Sequence, residues 1–325
     1  AMSASRSVIL FGTEEEVETP PIVRAGPLEA VLEAGNLRYV RIAGNEALRA
    51  IAFLVRDRNW GTYNADISNL KIDQQSDRFS VTYDALCADD QQSFRYSARI
   101  EGGPDGSLLF EADGEALTDF DTNRTGFVVL HALDGVVGAP VTVEHTDGRV
   151  VESRFPERID PACPFQDVRA LSHEIAPGVR VTCRMEGDAF EMEDHRNWMD
   201  ASYKTYVRPL ALPWPYTIDK NEKIPQQVKL TIEGTAAGGG GSGDSGGSAP
   251  VRVSVGAASG HGMPRIGFAV PAEHAAAGIE RADLIKDANP SFLVCHFDAR
   301  KGHGEAEMQR FRELGVATGA ELVLE

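Results

Sequence analysis

Cysteine is scarce. Four residues in 325, Cys87, Cys163, Cys183 and Cys295, stand far apart with no CxxC pair, so neither a disulfide framework nor a zinc knuckle has the spacing it needs. No apolar run approaches the roughly 20 residues of a membrane-spanning helix. The start, "AMSASRSVILFG", carries one Arg and a short apolar stretch and does not make a secretory signal. Positive charge is also short: 32 Lys and Arg against 49 Asp and Glu give a net charge of −17. That balance argues against a nucleic-acid or anionic-membrane surface, because phosphate contacts need clustered Lys and Arg. Cytoplasm is the default compartment. No GxGxxG or GxSxG follows a strand, and there is no P-loop or HExxH. The easily read dinucleotide, nucleotide, serine-hydrolase and zincin mechanisms are thereby removed.

What is present is period-2 alternation. "SFRYSARIEG" sets Phe94, Tyr96, Ala98 and Ile100 against Ser93, Arg95, Ser97, Arg99 and Glu101. "RFSVTYDALC" and "VRVTCRM" repeat the pattern, and Gly-Asn, Asp-Gly and Gly-Asp pairs punctuate it. Such alternation means half-buried antiparallel strands. The expectation is mainly β: a large antiparallel two-sheet sandwich over residues 1–233. Residues 234–250, "GTAAGGGGSGDSGGSAP", are too rich in Gly and Ser to bury a face and read as a linker. Residues 251–325 then change period: "PRIGFAV", an Ala-rich helical stretch at 272–286, "SFLVCHF", a helix over 304–315 stopped by Gly315, and "AELVLE". Strand–helix–strand–helix–strand opens a parallel α/β unit. A full barrel takes about 250 residues, so the segment is expected to be the start of a truncated barrel.

The densest chemistry lies in "FEMEDHRNWMDASYKTY", residues 190–206. If extended pairing continues past 194, Glu191, Glu193, His195 and Asn197 project to one face, and Phe190, Met192, Asp194 and Trp198 to the other. The plain alternative is a water-facing row of polar side chains. Against it, a His beside carboxylates is the composition of acid–base sites. The aromatics Trp198, Tyr203 and Tyr206 alternate with Asp200 and Lys204, which suits a polyhydroxylated ligand whose C–H faces stack while its hydroxyls need partners. Arg124 in "DTNRTGFVVLH" could bind a carboxylate or stabilise an oxyanion. His131, His145, His173 and His195 show no spacing that brings them together, so no metal ligand is assigned. "DRNWGTY" (57–63) and "HRNWMDASY" (195–203) share Arg-Asn-Trp and read as two related corners, with Arg and Asn bracing the backbone and Trp sealing the core. In the tail, His296, Asp298, Arg300 and Glu325 fall at strand C-terminal ends.

Four stretches together, "GPLEAVLEAGNLRYVRIAGNEALRAIAFLVRDRNWGTY", "NRTGFVVLH", "VEHTDGRVVESRFP" and "FEMEDHRNWMDASYKTYVRPLALPWP", resemble the N-terminal part of the D-apionate lactonases. These are bacterial enzymes of D-apiose catabolism that hydrolyse D-apionolactone to D-apionate. The likeness covers about residues 22–233, and the tail is compatible with the start of that family's barrel (a TIM barrel). Members of the family are much longer, which puts part of the active site in question. The resemblance implies a carbohydrate-lactone hydrolase, a carboxylic ester hydrolase with a small sugar lactone as its partner. Within that reading Glu191, Glu193 and His195 are the candidate catalytic residues. Arg124, Asn197, Trp198, Asp200 and Lys204 are the candidate substrate ligands. The cofactor is open, since a divalent metal could replace the cation, and so is the oligomeric state. The alternative is a non-catalytic carbohydrate-binding or scaffold sandwich serving a glycoside-hydrolase-like barrel. Glu191 and Glu193, neighbours on one strand, could not straddle a glycosidic bond by themselves.

Overall fold

A computed structural model describes residues 19–234 and 262–325, together with residues 5, 7, 8, 12–15, 254, 256, 257 and 260. The Gly/Ser-rich stretch over 235–250 lies outside the described residues. The chain divides into two compact units, Ala1–Gly247 and Ser248–Glu325.

In the first unit the alternation read from the sequence becomes burial. Along Ser93–Gly102, Phe94, Tyr96, Ala98 and Ile100 are buried while Arg95, Ser97 and Arg99 are exposed. Sixteen strands hydrogen-bond into one antiparallel sheet. Its path starts at Ile22–Ala25 and runs through hairpins to Asn45–Val55. It then passes to Thr125–Ala132, Ser202–Val207, Phe190–Asp194 and Phe165–Ala176, and returns through Val179–Glu186 and Lys223–Glu233 to end at Asp66–Gln74.

The expected two separate sheets are therefore one continuous sheet curled nearly shut. Its two edges meet at Gln74, whose side-chain amide accepts from Arg24 N (2.9 Å) and donates to Arg24 O (2.7 Å). Inside the curl, Phe53 packs on Tyr96 and Phe127, with ring centroids 4.6 and 5.3 Å away. Buried Gln226 reaches across to the strand Thr125–Ala132, accepting from Phe127 N and donating to Thr125 O. Right-handed twist carries a sheet this wide around on itself, and closure protects edges that would otherwise pair with other chains. Alternation reports which face of a strand is buried. It is the same for two stacked sheets and for one that closes.

The second unit holds three parallel strands, Gly267–Pro271, Phe292–His296 and Glu321–Leu324. Short helices at Ala275–Glu280 and Ala282–Asp287 and a longer one at Glu305–Thr318 accompany them. Phe311, Leu314, Gly315 and Thr318 are the buried stripe of the long helix. Gly315 does not stop that helix, which continues to Thr318 and ends at Gly319 in the left-handed region. A Cβ on Gly315 would stand 2.9 Å from the Leu322 side chain. The Leu322 side chain, from the strand that follows, fills the space that a larger residue here would need.

Candidate active site

The strand Phe190–Asp194 pairs with Ser202–Val207, setting Glu191 opposite Tyr206 and Glu193 opposite Lys204. Phe190 and Met192 enter the core, so the two glutamates take the other face. The strand ends at Asp194. Its buried carboxylate accepts from Arg196 N, Nε and Nη2 and from Asp160 N. It thereby caps a 3-10 turn, His195–Trp198, which Met199 closes with φ 60°. His195 and Asn197 do not continue the strand face, as extended pairing would have had them do, because a carboxylate that satisfies the orphan N–H groups of the turn favours turning there.

The turn still returns the imidazole to the glutamate. His195 Nδ1 lies 3.2 Å from Asp200 Oδ2, and Nε2 lies 3.6 Å from Glu193 Oε2. The opposite oxygen of Glu193 accepts from the Trp198 indole N–H at 2.7 Å. The facing His195 holds Glu193 down at about 2 against the effect of its burial, with Trp198 and Lys204 helping. Glu191 is differently placed. It is 2% exposed, and one oxygen accepts from the Tyr206 hydroxyl (2.7 Å) and from Leu210 N (3.0 Å). Asn197 donates through its side chain to Asp160 O, bracing the turn.

The cations come from elsewhere in the chain. Arg124 sits in a loop laced to the first Arg-Asn-Trp corner: Arg56 N donates to Arg124 O, Asn123 N to Asp57 O, and Asn123 Nδ2 to Arg58 O. Asp57 ties the corner by accepting from Asn59 N and Gly61 N. The Arg124 guanidinium is centred 3.6 Å over the Tyr206 ring and 5.3 Å from the Trp60 ring. The residue is 4% exposed, and its Nε has no hydrogen-bond partner among the described residues. Lys204 Nζ is 5.6 Å from the same Tyr206 ring. Burial, with Arg124 and Arg56 nearby, lowers the Lys204 pKa to about 8 despite Glu193 and Asp200. The salt bridges here are those of His195 and of Arg196 with Asp194. Among the described residues Arg124 and Lys204 have no carboxylate within 4 Å.

All three tryptophans of the chain rim this cluster. Trp60 lies beside Arg124, Trp214 packs on Trp60 with centroids 5.3 Å apart, and Trp198 holds Glu193. In the second corner Arg196 and Asn197 brace the backbone as the repeated motif suggested, donating to Pro156 O, Glu157 O and Asp160 O; in the first, Asp57 does this and Arg58 pairs with Asp121 instead. Their tryptophans do not seal the core: Trp198 is 72% exposed, and Trp60 sits part-exposed at the rim. Arg56, Trp60 and Trp214 were not picked out by sequence as site residues, and Tyr206 was noted only among the aromatics that alternate with Asp200 and Lys204. The duplicated Arg-Asn-Trp was the one signal pointing to Trp60, whereas Trp214 had none.

Other sequence candidates fall elsewhere. His131 and His173 are buried in the core with rings 5.3 Å apart, and His145 binds Gln166 O. The described residues contain no group of three or more His, Cys, Asp or Glu that fits a metal ion. Hollows of about 500 and 680 Å³ lie against Arg78 and Lys229 and against Arg95 and Lys223, away from the cluster. In the second unit a hollow of about 450 Å³ is lined by His296, Asp298, Arg300, His303 and Glu325. None of the described helices is long and apolar enough to cross a membrane.

A curled antiparallel domain bearing a tryptophan-rimmed cluster of cations and a clamped histidine, followed by an α/β unit, defines the class of this chain. Residues 8–235 match the family described as "D-apionate lactonase, N-terminal domain", and residues 266–325 match "D-apionate lactonase, TIM barrel domain". The chain belongs to the D-apionate lactonase family. It is 42% identical over all 325 residues to the D-apionate lactonase of Brucella anthropi, and spans 53% of that relative's length. Among solved structures it is similar to a galactose 1-epimerase from Lactobacillus acidophilus, at 9% identity and a TM-score of 0.41, covering 64% of this chain and 91% of that one. It is also similar to a beta-arabinopyranosidase, at 9% identity and a TM-score of 0.42, covering 94% and 55%. At these TM-scores neither likeness bears on function.

Proposed function

We propose that the chain carries the reaction centre of a sugar-lactone hydrolase acting on D-apionolactone or a close aldonolactone, in the cytoplasm. We further propose that residues 1–233 form its β-domain, 234–250 a linker, and 251–325 the opening of a barrel. The observation carrying this reading is that Glu193, which faces the His195 held by Asp200, lies opposite Lys204 in register, and that Lys204 shares the Tyr206 ring with a buried Arg124, neither cation having a carboxylate within 4 Å among the described residues.

Held at about 2, Glu193 is too weak a base to deprotonate water. With Nδ1–H donated to Asp200, neutral His195 presents Nε2 as the base, and the Glu193 carboxylate 3.6 Å away stabilises the proton that Nε2 takes up. Water gives its proton to Nε2 and attacks the carbonyl carbon. The carbonyl electron pair moves to oxygen, where Arg124 and Lys204 hold the charge. Collapse re-forms the carbonyl and breaks the ring C–O bond, and the leaving alkoxide takes the proton back from His195. The hydroxy acid then ionises, releasing the proton that a pH-stat counts. Glu191, bonded to Tyr206 and Leu210 N, positions the ring on which Arg124 rests. Asn197, Trp198 and Asp200 hold the turn, the glutamate and the imidazole.

The test is pH-stat hydrolysis of aldonolactones. His195→Gln should lower kcat by about 100-fold or more, and Arg124→Met should do likewise. Unchanged hydrolysis by a His195→Gln/Glu193→Gln double variant would sink the assignment. A second reading draws on the 450 Å³ hollow at the strand ends of the α/β unit. In that version the chemistry sits beside His296 and His303, and the β-domain is a sugar-binding or scaffold module. It predicts loss of hydrolysis in His303→Ala with His195→Gln unaffected.

A further inference from the structure

We infer that Arg56, Arg124 and Lys204 form a receptor for the carboxylate of small polyhydroxy monocarboxylates, so that the opened acid outbinds the neutral lactone and inhibits its own formation. The inference rests on the reading of this cluster as the place where the ring opens.

A lactone brings no charge to the site. During attack one oxygen becomes negative for a moment, and one well-placed cation answers that need. The structure supplies three, two of them over one tyrosine ring at 3.6 and 5.6 Å. The third, Arg56, has its Nη1 occupied by Trp60 O and Thr62 Oγ1 and acts on the others through its charge. A buried guanidinium without a carboxylate is costly to maintain. Here the faces of Tyr206 and Trp60 cover it, and its Nε is left unpaired. A carboxylate can take two parallel N–H bonds from a guanidinium, which a carbonyl oxygen cannot. It would also bring a negative charge into contact with Arg124 and Lys204, which have no carboxylate within 4 Å among the described residues.

The surroundings limit which anion fits. Glu193 stands directly opposite Lys204 on the neighbouring strand, and Asp200 lies beyond it against His195. A ligand with a second carboxylate would bring that group against these two acids. Hydroxyl groups suffer no such penalty, and the exposed indoles of Trp198 and Trp214 offer faces for C–H surfaces. The site therefore selects a chain with one carboxylate and several hydroxyls over both an alditol and a dicarboxylate.

Because every tryptophan of the chain is at this site, intrinsic fluorescence reads occupancy without turnover. The whole chain would be titrated with D-erythronate, erythritol and tartrate. D-erythronate should shift the emission saturably and bind about tenfold or more tighter than either of the others, as expected of a charge-assisted bond. Arg124→Met should abolish the shift. Lys204→Gln, at a part-exposed position where folding is less at risk, should weaken it several-fold, and circular dichroism would establish that both variants fold. Equal affinity for erythronate and erythritol would overturn the inference, as would erythronate binding unchanged in folded Lys204→Gln and Arg124→Met. Turnover separates the two ideas. Hydrolysis that needs Arg124, with erythronate no better than erythritol, overturns the receptor and leaves the hydrolase. Selective erythronate binding in a chain that opens no lactone does the reverse.

Discussion

Two imidazoles in the core set how this protein meets acid. His131, on the strand Thr125–Ala132, and His173, on Phe165–Ala176, are fully buried with rings 5.3 Å apart, each 5.6 Å from the Phe155 ring. None of their four ring nitrogens has a hydrogen-bond partner among the described residues. Burial pushes His131 well below the ordinary histidine range, with His173 adding to it. Burial likewise takes His173 from 6.5 down to about 4, with Arg180 adding to it. The folded pKa is the lower one, so in this window the unfolded chain binds protons that the folded chain refuses. Stability is complete above about pH 6.5 and is lost as pH falls towards 4 and below. For His173 the difference of about 2.5 pH units, at 1.36 kcal/mol each, is about 3 kcal/mol, and His131 acts with the same sign. The assay is urea unfolding followed by tryptophan fluorescence at pH 7.5 and 4.5. All three tryptophans lie in the first unit, as do both histidines, so the signal reports the unit concerned. A His131→Leu/His173→Leu variant should lose several kcal/mol less than the parent between those pH values, and at pH 7.5 it should be no less stable by more than about 2 kcal/mol, since four unpaired polar atoms leave with the rings. Glu193, held at about 2, surrenders its contribution only at lower pH and does not obscure the comparison. Equal losses in parent and variant would refute the reasoning.

Lys204, lowered to about 8, carries its charge below that pH and loses it above. Lactone hydrolysis should therefore decline on the alkaline side near pH 8, and Lys204→Arg should move the decline upward; superimposable profiles would count against a role for this charge. Glu191→Ala leaves the Tyr206 hydroxyl and Leu210 N without their acceptor and should cost about 1–3 kcal/mol in urea unfolding. Glu191→Gln keeps an acceptor oxygen and should retain hydrolysis within a few-fold, whereas a general base at this position would lose it. Gly315→Ala places a methyl 2.9 Å from Leu322 and should destabilise the second unit by about 1–3 kcal/mol. Amide exchange in the helix Glu305–Thr318 would report this, with tryptophan-detected unfolding of the first unit unmoved.

What sequence could resolve here follows the reach of the forces involved. Burial of alternate side chains is local and regular, so the strands and their inward faces were legible from Phe94 to Ile100 and from Val179 to Met185. Closure brings the Gln74 amide to a backbone fifty residues away at Arg24, a meeting that no window of sequence contains. The helix end was misplaced for a related reason. Gly315 looks like a stop because glycine is common there, yet its cause is Leu322 on a strand that follows.

The site shows the same division inside a few residues. Glu193 and Lys204 were both picked out, and their opposition follows from register alone. His195 was picked out for the wrong geometry: not as the next residue on a strand face, but as the first residue of a turn that the Asp194 carboxylate makes possible. That turn is what gives the histidine its two carboxylate neighbours, since a continuing strand would have set it on the same face as Glu193 but about 6–7 Å further along. Asp57 ties off the first Arg-Asn-Trp corner in a related way, and that corner holds the Arg124 loop through backbone bonds. The duplicated motif thus has a physical function that conserved chemistry would not require of it. Each copy has an aspartate at or just past the end of a strand that accepts from backbone N–H groups of the turn, and each delivers a tryptophan to the rim, one beside the cation and one beside the acid. If that is its role, Asp57→Ala should shift Trp60 emission and weaken erythronate binding. Asp194→Ala should leave the Arg124 side intact while loosening His195, so that lactone hydrolysis falls and anion binding persists.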